Sequence, residues 1–531
     1  MTSRARSLWG WGWDDKLPDE AARAALGAQL AGLLGVPAPA PGAPPTPESA
    51  VVPPPRLAIP AELSRFATDD REARARRTYG RAYPDLVRAF SGDFSPAPDL
   101  VLTPEDEDDV VASLAWAERE GVAVVPYGGG TSVVGGVEAP RDRPKATLDL
   151  ARLRLVLEVD QVSRAARIQA GALGPDLEQQ LSAHGLTLRH YPQSFEFSTL
   201  GGWIATRAGG HYATLMTHVD DLVEAVRMVT PRGVLATRRL PASGAGPSPE
   251  RLVLGSEGAL GVITEAWMRV VPRPRFRASA VVHFRAFTGA CAGARAVAQA
   301  RLFPANCRVL DEEEARLNFV ADDGSALLLL GFESADHPVT HELERAVALA
   351  VAEGGACPRG VTVKDDGARG GDAAAERWRQ AFFDGPYLQS ALVTMGFVVD
   401  TFETACTWAA LPSLDAEVRA AVTEAMRREL GGGRITCRFT HVYPDGPAPY
   451  YTWIAPPAPG RQIEAWTAVK RAASDAISRA GGTITHHHAV GRTHRPWYDR
   501  ERPDAFALAL RGAKLALDPA GVLNPGVLID P

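Results

Sequence analysis

From about residue 99, segments with the apolar pattern of strands alternate along the chain with segments that have the apolar spacing of helices. Short apolar runs such as 122–125 (VAVV) are typical of buried strands, whereas residues 104–121 combine charged and apolar positions at helical spacing. Thr103 precedes Pro104 and an acidic run from Glu105 to Asp109, which predicts a helix with Thr103 as its N-cap. The repeated alternation up to about residue 275 predicts a domain of α+β class.

A second set of elements follows this domain. Short β-branched runs near 278–286 and 326–333 flank long helical stretches, which predicts a second α+β domain. Residues 37–60 are rich in Pro and Ala and have no periodicity, so they predict an extended surface connector.

Three tryptophans precede this connector. Trp9, Trp11 and Trp13 alternate with glycines, which would place three indoles on one side of an extended strand. Packing against a neighbouring surface is the favoured interpretation, and a ligand or membrane contact is the alternative.

Composition and charge argue against several classes of protein and of binding site. A chain of 531 residues is long enough for two or more domains. With 63 acidic against 57 basic residues its net charge is −6, which argues against a nucleic-acid partner. The five cysteines are far apart and form no CxxC pair, so we predict neither disulfides nor a thiolate metal site. With no run of about 18 apolar residues, we expect a cytoplasmic protein, with contact to a membrane surface left open.

A glycine-rich loop directly after the VAVV strand is the strongest local signal. Residues 126–132 read PYGGGTS, and three consecutive glycines let backbone N–H groups converge on an anion. A pyrophosphate cradle is therefore credible, although the GxGxxG spacing is absent and a plain tight turn is the alternative. Segments 193–203, 206–210 and 255–263 are also rich in small residues, which weakens the turn interpretation.

Three consecutive histidines lie near the C-terminus. In an extended strand His486 and His488 would face one way and His487 the other, so the three could not easily bind one metal ion, and we predict no metal site. Histidine commonly transfers protons near neutral pH. Catalysis is the favoured interpretation and structural packing is the alternative.

Taken together, these segments resemble flavoproteins of the vanillyl-alcohol oxidase superfamily and, within it, the alkyldihydroxyacetonephosphate synthase family. The resemblance covers most of the chain and rests on WGWG, PYGGGTS, EFSTLGGWIATRAGG, DDLVEAVRMVTPRG, LGSEGALGVITEA, TFETACTW, THHHAVGR and LDPAGVLNPG. PYGGGTS and SEGALGVI are typical of the superfamily, whereas FSTLGGW, the FETA segment and the triple histidine are more specific to the synthases.

The resemblance implies an α+β fold with a two-subdomain FAD-binding domain and an α+β cap domain. The corresponding boundaries are an N-terminal extension with the connector at 1–95, the FAD-binding domain at 96–275, the cap at 276–485, and a histidine segment and tail at 486–531 that return to the FAD domain. Because the PYGGGTS loop contains no His or Cys, we expect non-covalent FAD. The implied cofactor-binding residues are Pro126, Tyr127, Gly128, Gly129, Gly130, Thr131, Ser132, Gln193, Ser194, Ser198, Thr199, Thr206, Arg207, Ala208, Gly209, Glu257, Gly258, Gly261, Val262 and Ile263.

The resemblance also implies a reaction, in which the acyl group of acyl-dihydroxyacetone phosphate is exchanged for a fatty alcohol through a flavin N5 adduct. It implies Tyr450 as acid/base, with Tyr451 as the alternative, and essential roles for His486, His487, His488 and Arg308. Gln389 stands where the family has a substrate-binding arginine, and a glutamine lacks the charge and the donor fork that hold a phosphate. Arg438 or Arg379 could compensate for this difference.

Two other functions compete with ether-lipid synthesis. A FAD-dependent dehydrogenase or oxidase of a 2-hydroxy acid or related alcohol would fit Gln389, although such enzymes usually have a Glu-His-Gly arrangement where this chain has His486-His487-His488-Ala489. A non-catalytic flavin-binding protein is the third interpretation. For the synthase we expect lipid-like substrates, peripheral membrane contact and a homodimer.

Overall fold

The structure is a computed structural model that describes residues 5–210, 212–318, 320–364 and 384–531. The described chain contains helices and four sheets, which confirms the α+β class. Arg379 lies outside the described residues. Among the described helices, none is long and apolar enough to cross a membrane.

The first half of the chain forms two main sheets. A four-stranded sheet has the order β1-β2-β4-β3, with β2, β4 and β3 parallel, and a five-stranded antiparallel sheet has the order β5-β6-β10-β8-β9. A two-stranded sheet pairs β11 with β7. The strands are β1 Ala67–Thr68, β2 Leu100–Leu102, β3 Ala123–Tyr127, β4 Lys145–Asp149, β5 Val156–Asp160, β6 Ala165–Gln169, β7 Leu186–Thr187, β8 Val223–Thr230, β9 Gly233–Ala236, β10 Val262–Arg269 and β11 Val271–Pro272.

One continuous apolar core joins these two sheets to the helices beside them. The helices up to residue 253 are α1 Glu20–Leu34, α2 Arg71–Arg76, α3 Tyr83–Phe90, α4 Glu107–Glu120, α5 Gly174–Ser182, α6 Leu200–Thr206 and α7 Glu250–Val253. Short 3₁₀ turns lie at Asp14–Lys16, Ala61–Leu63 and Val219–Asp221.

The second half contains a seven-stranded antiparallel sheet in the order β15-β12-β14-β13-β17-β18-β16. Helices pack on it and form a second core, which also includes Leu30 of α1. The elements are β12 Phe276–Phe284, α8 Phe287–Gln299, β13 Asn306–Leu310, α9 Glu312–Leu317, β14 Ala326–Ser334, α10 Thr340–Ala352, β15 Thr362–Lys364, β16 Phe397–Glu403, α11 Leu411–Leu430, β17 Arg434–Val442, β18 Pro447–Pro457, α12 Gln462–Arg479, α13 Arg495–Glu501 and α14 Asp504–Leu517. Residues 384–393 are also helical.

Two local predictions were wrong. The N-cap of α4 is Asp106, whose carboxylate accepts from the amide of Asp109 at 2.9 Å, while the Thr103 hydroxyl donates to the carbonyl of Phe66. The tryptophan segment is a bent loop closed by a bridge between Arg6 and Trp13, with Gly12 at φ +71°, and not an extended strand, so its indoles contact different neighbours. Trp9 packs on Phe90 at 5.0 Å between ring centroids, and Trp13 packs on Phe197 at 5.8 Å.

Candidate active site

A cavity of about 1030 Å³ lies between the glycine-rich loop and the seven-stranded sheet. Its walls come from the loop after β3, from α6, from residues 384–393 and from the strand pair β17–β18. A volume of this size is at the upper end for small-molecule sites and leaves room for a cofactor and a second ligand.

The glycine-rich loop packs its backbone directly against the loop before α6. A Cβ on Gly129 would overlap the carbonyl oxygen of Phe197, and one on Gly128 would overlap the Thr199 hydroxyl. Gly130 has φ +65°, a conformation that favours glycine. The loop therefore lines the cavity with main-chain atoms and the small side chains of Thr131 and Ser132, which suits an extended anionic ligand.

Most residues predicted to bind the cofactor line this one cavity. They are Pro126, Tyr127, Gly128, Gly129, Gly130, Thr131, Ser132, Gln193, Ser194, Ser198, Thr199, Thr206, Ala208, Gly209, Glu257, Gly258, Gly261 and Ile263. Two predicted residues are not in the lining. The Arg207 side chain bonds to Asp220 at 2.9 Å and Val262 points into the core of the sheet, because adjacent strand residues face opposite sides.

Glu257 joins the cofactor loops to the histidine segment. Its carboxylate accepts from the amides of Val490 at 2.9 Å and Gly491 at 2.8 Å. Burial raises its pKa to about 7. Glu257 therefore has two roles: it lines the cavity, and its carboxylate binds the loop at Val490 and Gly491.

The two adjacent tyrosines lie on opposite faces of β18. Tyr450 lines the cavity, and its hydroxyl donates to Thr401 Oγ1 at 2.9 Å. Tyr451 stacks on Phe402 and its hydroxyl donates to Asp415 at 3.0 Å, inside the second core. The alternation of side chains along the strand therefore brings only Tyr450 to the cavity. Burial raises the Tyr450 pKa, so the phenol is protonated at neutral pH.

The three histidines lie in a bent segment. The extended strand that the sequence predicted for them was therefore wrong. His487 and His488 line the cavity and pack against the Tyr450 ring, with centroid distances of 5.9 and 5.4 Å. His486 is directed elsewhere, and its Nε2 lies 2.7 Å from the Tyr443 hydroxyl. Burial lowers the pKa of His487 to about 3 and that of His488 well below its ordinary value, so both rings are neutral near pH 7.

A further histidine, His441 on β17, joins this cluster. One ring nitrogen from each of His441, His486 and His487 lies within 4.8 Å of the others, and His486 and His487 approach to 3.1 Å between Nδ1 atoms. These groups could hold one metal ion together, so the strand argument against a shared metal does not apply to this bent segment. His441 was not predicted from the sequence, because no motif surrounds it.

Two buried arginines also line the cavity. The Arg438 guanidinium lies 4.0 Å from the Tyr450 ring centroid and forms an ion pair with Glu314 at 2.6 Å. Burial, reinforced by the nearby charge of Arg438, lowers the Arg308 pKa to about 10. Like charges at Arg308 and Arg438 favour an anion beside them, and Glu314 already supplies one negative charge to Arg438. Gln389 also lines the cavity, and Trp11 donates a hydrogen bond to it.

Comparisons with known proteins agree with this arrangement. Residues 98–238 match the model of an FAD binding domain, and residues 273–528 match that of the C-terminal domain of FAD linked oxidases. The chain is 31% identical over 489 residues to an alkyldihydroxyacetonephosphate synthase of Dictyostelium discoideum, covering 87% of this chain and 78% of that protein. The chain belongs to the alkyldihydroxyacetonephosphate synthase family.

A solved structure of an alkyldihydroxyacetonephosphate synthase superposes with a TM-score of 0.80 at 26% identity and covers 98% of both chains. A glycolate oxidase subunit of Bacillus subtilis (strain 168) is a more distant relative, 25% identical over 82% of this chain and 91% of that protein. The resemblance read from the sequence is thereby confirmed. The matched domains make this member of the synthase family a FAD-dependent enzyme, and the glycine loop fits an FAD pyrophosphate.

Proposed function

We propose that this enzyme exchanges the acyl group of acyl-dihydroxyacetone phosphate for a long-chain alcohol, which forms an ether lipid precursor. One observation carries the proposal. The cavity that the glycine-rich loop lines also contains Tyr450, His487, His488 and Arg308. Cofactor, acid/base groups and a cation for the head group would therefore meet in one space.

The reaction is a substitution at the carbon that bears the acyl ester. The alcohol loses its proton and its oxygen forms a bond to that carbon, while the bond from carbon to the acyl oxygen breaks and a fatty carboxylate leaves. No electrons are gained or lost overall. FAD, when bound, supplies a nucleophilic flavin nitrogen that permits this exchange.

Protonation states support separate roles for the side chains beside this carbon. The raised pKa of Tyr450 keeps its phenol protonated, so that it can donate a proton or a hydrogen bond. His487 and His488 are neutral near pH 7 and can accept the proton of the alcohol. His486, which does not line the cavity, would act by supporting its neighbours.

The glycine loop and the segments around Ser198, Thr206 and Gly258 would hold FAD through main-chain and hydroxyl groups. None of the cavity-lining residues of this loop is a His or Cys, which supports non-covalent binding. Acid precipitation followed by spectrophotometry tests this part, because covalent flavin would remain with the pelleted protein.

The phosphate would be held by Arg308 and Arg438, which both line the cavity. Arg438 is already paired with Glu314 at 2.6 Å, so it offers less net charge for the substrate than the sequence suggested. Gln389 would contribute amide N–H donors without charge. The weaker anchor at position 389 leaves a 2-hydroxy-acid dehydrogenase as the second candidate, which the glycolate oxidase relative also favours.

The aliphatic chains would lie along the apolar part of the cavity. Its lining includes Leu26, Leu30 and Leu33 of α1 together with Leu392 and Ile454. Because both substrates are amphiphilic, we propose in addition that the enzyme contacts membrane surfaces. We also propose that it is a homodimer. Light scattering and co-sedimentation with phosphatidylcholine vesicles test these two statements, and a monomer or unbound protein would contradict them.

The decisive experiment uses purified FAD-loaded protein with acyl-dihydroxyacetone phosphate and [¹⁸O]hexadecanol, without oxygen. Mass spectrometry of the lipids should find ¹⁸O in an ether product and unlabelled fatty acid. Absence of the ether would contradict the synthase function. Flavin bleaching by D-lactate or glycolate, with a keto acid as product, would support the dehydrogenase instead.

A further inference from the structure

Glu403 is the last residue of β16 and lies in the FETA segment, to which no role has been assigned so far. Its side chain is fully buried, with 0% exposure. In the antiparallel pair β16–β18 it lies directly opposite Tyr450. It is not a lining residue of the cavity, so it would not touch substrate or cofactor.

The Glu403 carboxylate accepts hydrogen bonds from four donors of the histidine segment. Oε1 accepts from Thr485 Oγ1 at 2.6 Å and from the amides of His487 and His488 at 3.1 and 3.0 Å. Oε2 accepts from the amide of His486 at 2.6 Å. One carboxylate thus satisfies three consecutive backbone N–H groups.

This arrangement explains why the segment bends. In a strand, successive amides point in opposite directions, and they cannot all reach one carboxylate. Convergence on Glu403 turns the three amides inward and leaves the rings of His487 and His488 on the side of Tyr450. Thr485 strengthens the turn, because its hydroxyl also accepts from the amide of His488 at 3.0 Å.

We propose that Glu403 is a positioning residue, whose carboxylate holds the backbone of His486–His488 so that the rings of His487 and His488 face Tyr450. The expected loss of turnover rests on the proposed function, whereas the positioning of the backbone at 486–488 does not depend on it. Because Glu403 and Tyr450 are opposed in one strand pair, the same two strands place both the tyrosine ring and the histidine segment.

The test compares Glu403→Gln, Glu403→Asp and a matched control, Glu178→Gln. Glu178 is also a buried carboxylate that accepts from a threonine hydroxyl, that of Thr187, and from the amides of Leu188 and Arg189, but it does not line the cavity. An amide oxygen carries no charge and its nitrogen is a donor, so glutamine cannot satisfy the four donors around Glu403.

Hydrogen exchange measured by peptide mass spectrometry gives a readout that does not need the reaction. In Glu403→Gln the amides of residues 486–488 should exchange about tenfold faster or more, and Glu403→Asp should restore part of the protection. Glu178→Gln should accelerate exchange only near residues 187–189. Unchanged exchange at 486–488 in Glu403→Gln would overturn the proposal.

Turnover gives the second readout. Glu403→Gln should retain FAD and KM but lose about 100-fold in kcat, because misplacement of about 1 Å can cost that much. Glu178→Gln should retain kcat. Full kcat in Glu403→Gln would also overturn the positioning role. If wild-type protein forms no ether, the proposed function fails while the exchange result still decides the inference.

Discussion

The indole N–H of Trp11 donates a hydrogen bond to Oε1 of Gln389 at 3.2 Å, across 378 positions of sequence. An indole nitrogen can only donate, so this contact determines which end of the amide faces Trp11. The two N–H donors of Gln389 are then the part of the amide left for a ligand. The backbone amide of Trp11 also donates to Ser390 Oγ at 3.0 Å, which ties the N-terminal segment to residues 384–393.

We therefore expect Gln389→Glu to raise KM for acyl-dihydroxyacetone phosphate about tenfold or more, because a carboxylate repels the phosphate while it still accepts from Trp11. The KM for the alcohol should not change. Steady-state kinetics with each substrate varied in turn check this. An unchanged phosphate-substrate KM would mean that Gln389 lies away from the head group.

Trp11→Phe should raise the same KM about fivefold with little change in kcat, since loss of one neutral hydrogen bond frees the amide to rotate. Trp9→Phe is the matched control, because Trp9 packs on Phe90 and does not line the cavity. The effect should disappear in a Gln389→Ala background. An equal effect in that background would show that Trp11 acts independently of Gln389.

Tyr450→Phe should keep FAD and reduce kcat about 100-fold, as expected for loss of an acid/base group. Tyr451→Phe should keep kcat and cost about 1 kcal/mol of stability, because it loses the hydrogen bond to Asp415. Ether formation and urea unfolding of both variants separate the two residues. The reverse pattern would assign the acid/base role to Tyr451.

Three largely buried histidines should contribute a loss of stability as the pH is lowered from about 6.5 towards 3. The buried carboxyls of Asp85, Glu257 and Asp311, whose pKa values are raised to about 7, 7 and 6, contribute in the opposite direction as they bind protons in the folded chain. The folded-state pKa of His487 and of His190 is lowered to about 3 and that of His494 to about 4, in each case chiefly by burial. In this window these histidines bind protons in the unfolded chain and not in the folded chain, so their contribution to the free energy of unfolding decreases. Above pH 7 these groups are neutral in both states and add no slope.

Urea unfolding of FAD-free protein at several pH values measures this slope. His190→Gln should reduce this slope, because the substitution removes one site that binds a proton in the unfolded chain. His190 does not line the cavity, so its substitution leaves the cavity lining unchanged. An unchanged slope in the variant would show that His190 has the same pKa in the folded and the unfolded chain.

Gly129→Ala should abolish FAD binding or folding, because a Cβ at this position overlaps the carbonyl of Phe197. Gly512→Ala in α14 is the control. A Cβ there meets nothing within 4 Å, and the change should stabilise the helix by about 0.5–1 kcal/mol. The ratio of absorbance at 450 and 280 nm in purified protein reports bound flavin. Full occupancy in Gly129→Ala would contradict this account of the loop.

Local patterns determined the fold class and the cofactor loop. The apolar VAVV run leads into β3, and the glycines after it allow the close approach of residues 128 and 129 to residues 197–199. The strand and the glycine-rich turn depend on neighbours in sequence, which is why they could be predicted, whereas the contact with residues 197–199 is a tertiary one. The same patterns, with the motifs shared with the family, identified FAD as cofactor.

Tertiary contacts decided which side chains meet in the cavity. The sequence predicted His486 and His488 on one face of a strand and His487 on the other, but Glu403, about 80 residues earlier, bends the segment, and of the three only His487 and His488 line the cavity. Strand pairing places Tyr450 inward and Tyr451 in the core, and Trp11 reaches Gln389 from the other end of the chain. Such pairings depend on sheet register and on the packing of distant segments, which periodicity along one segment does not encode.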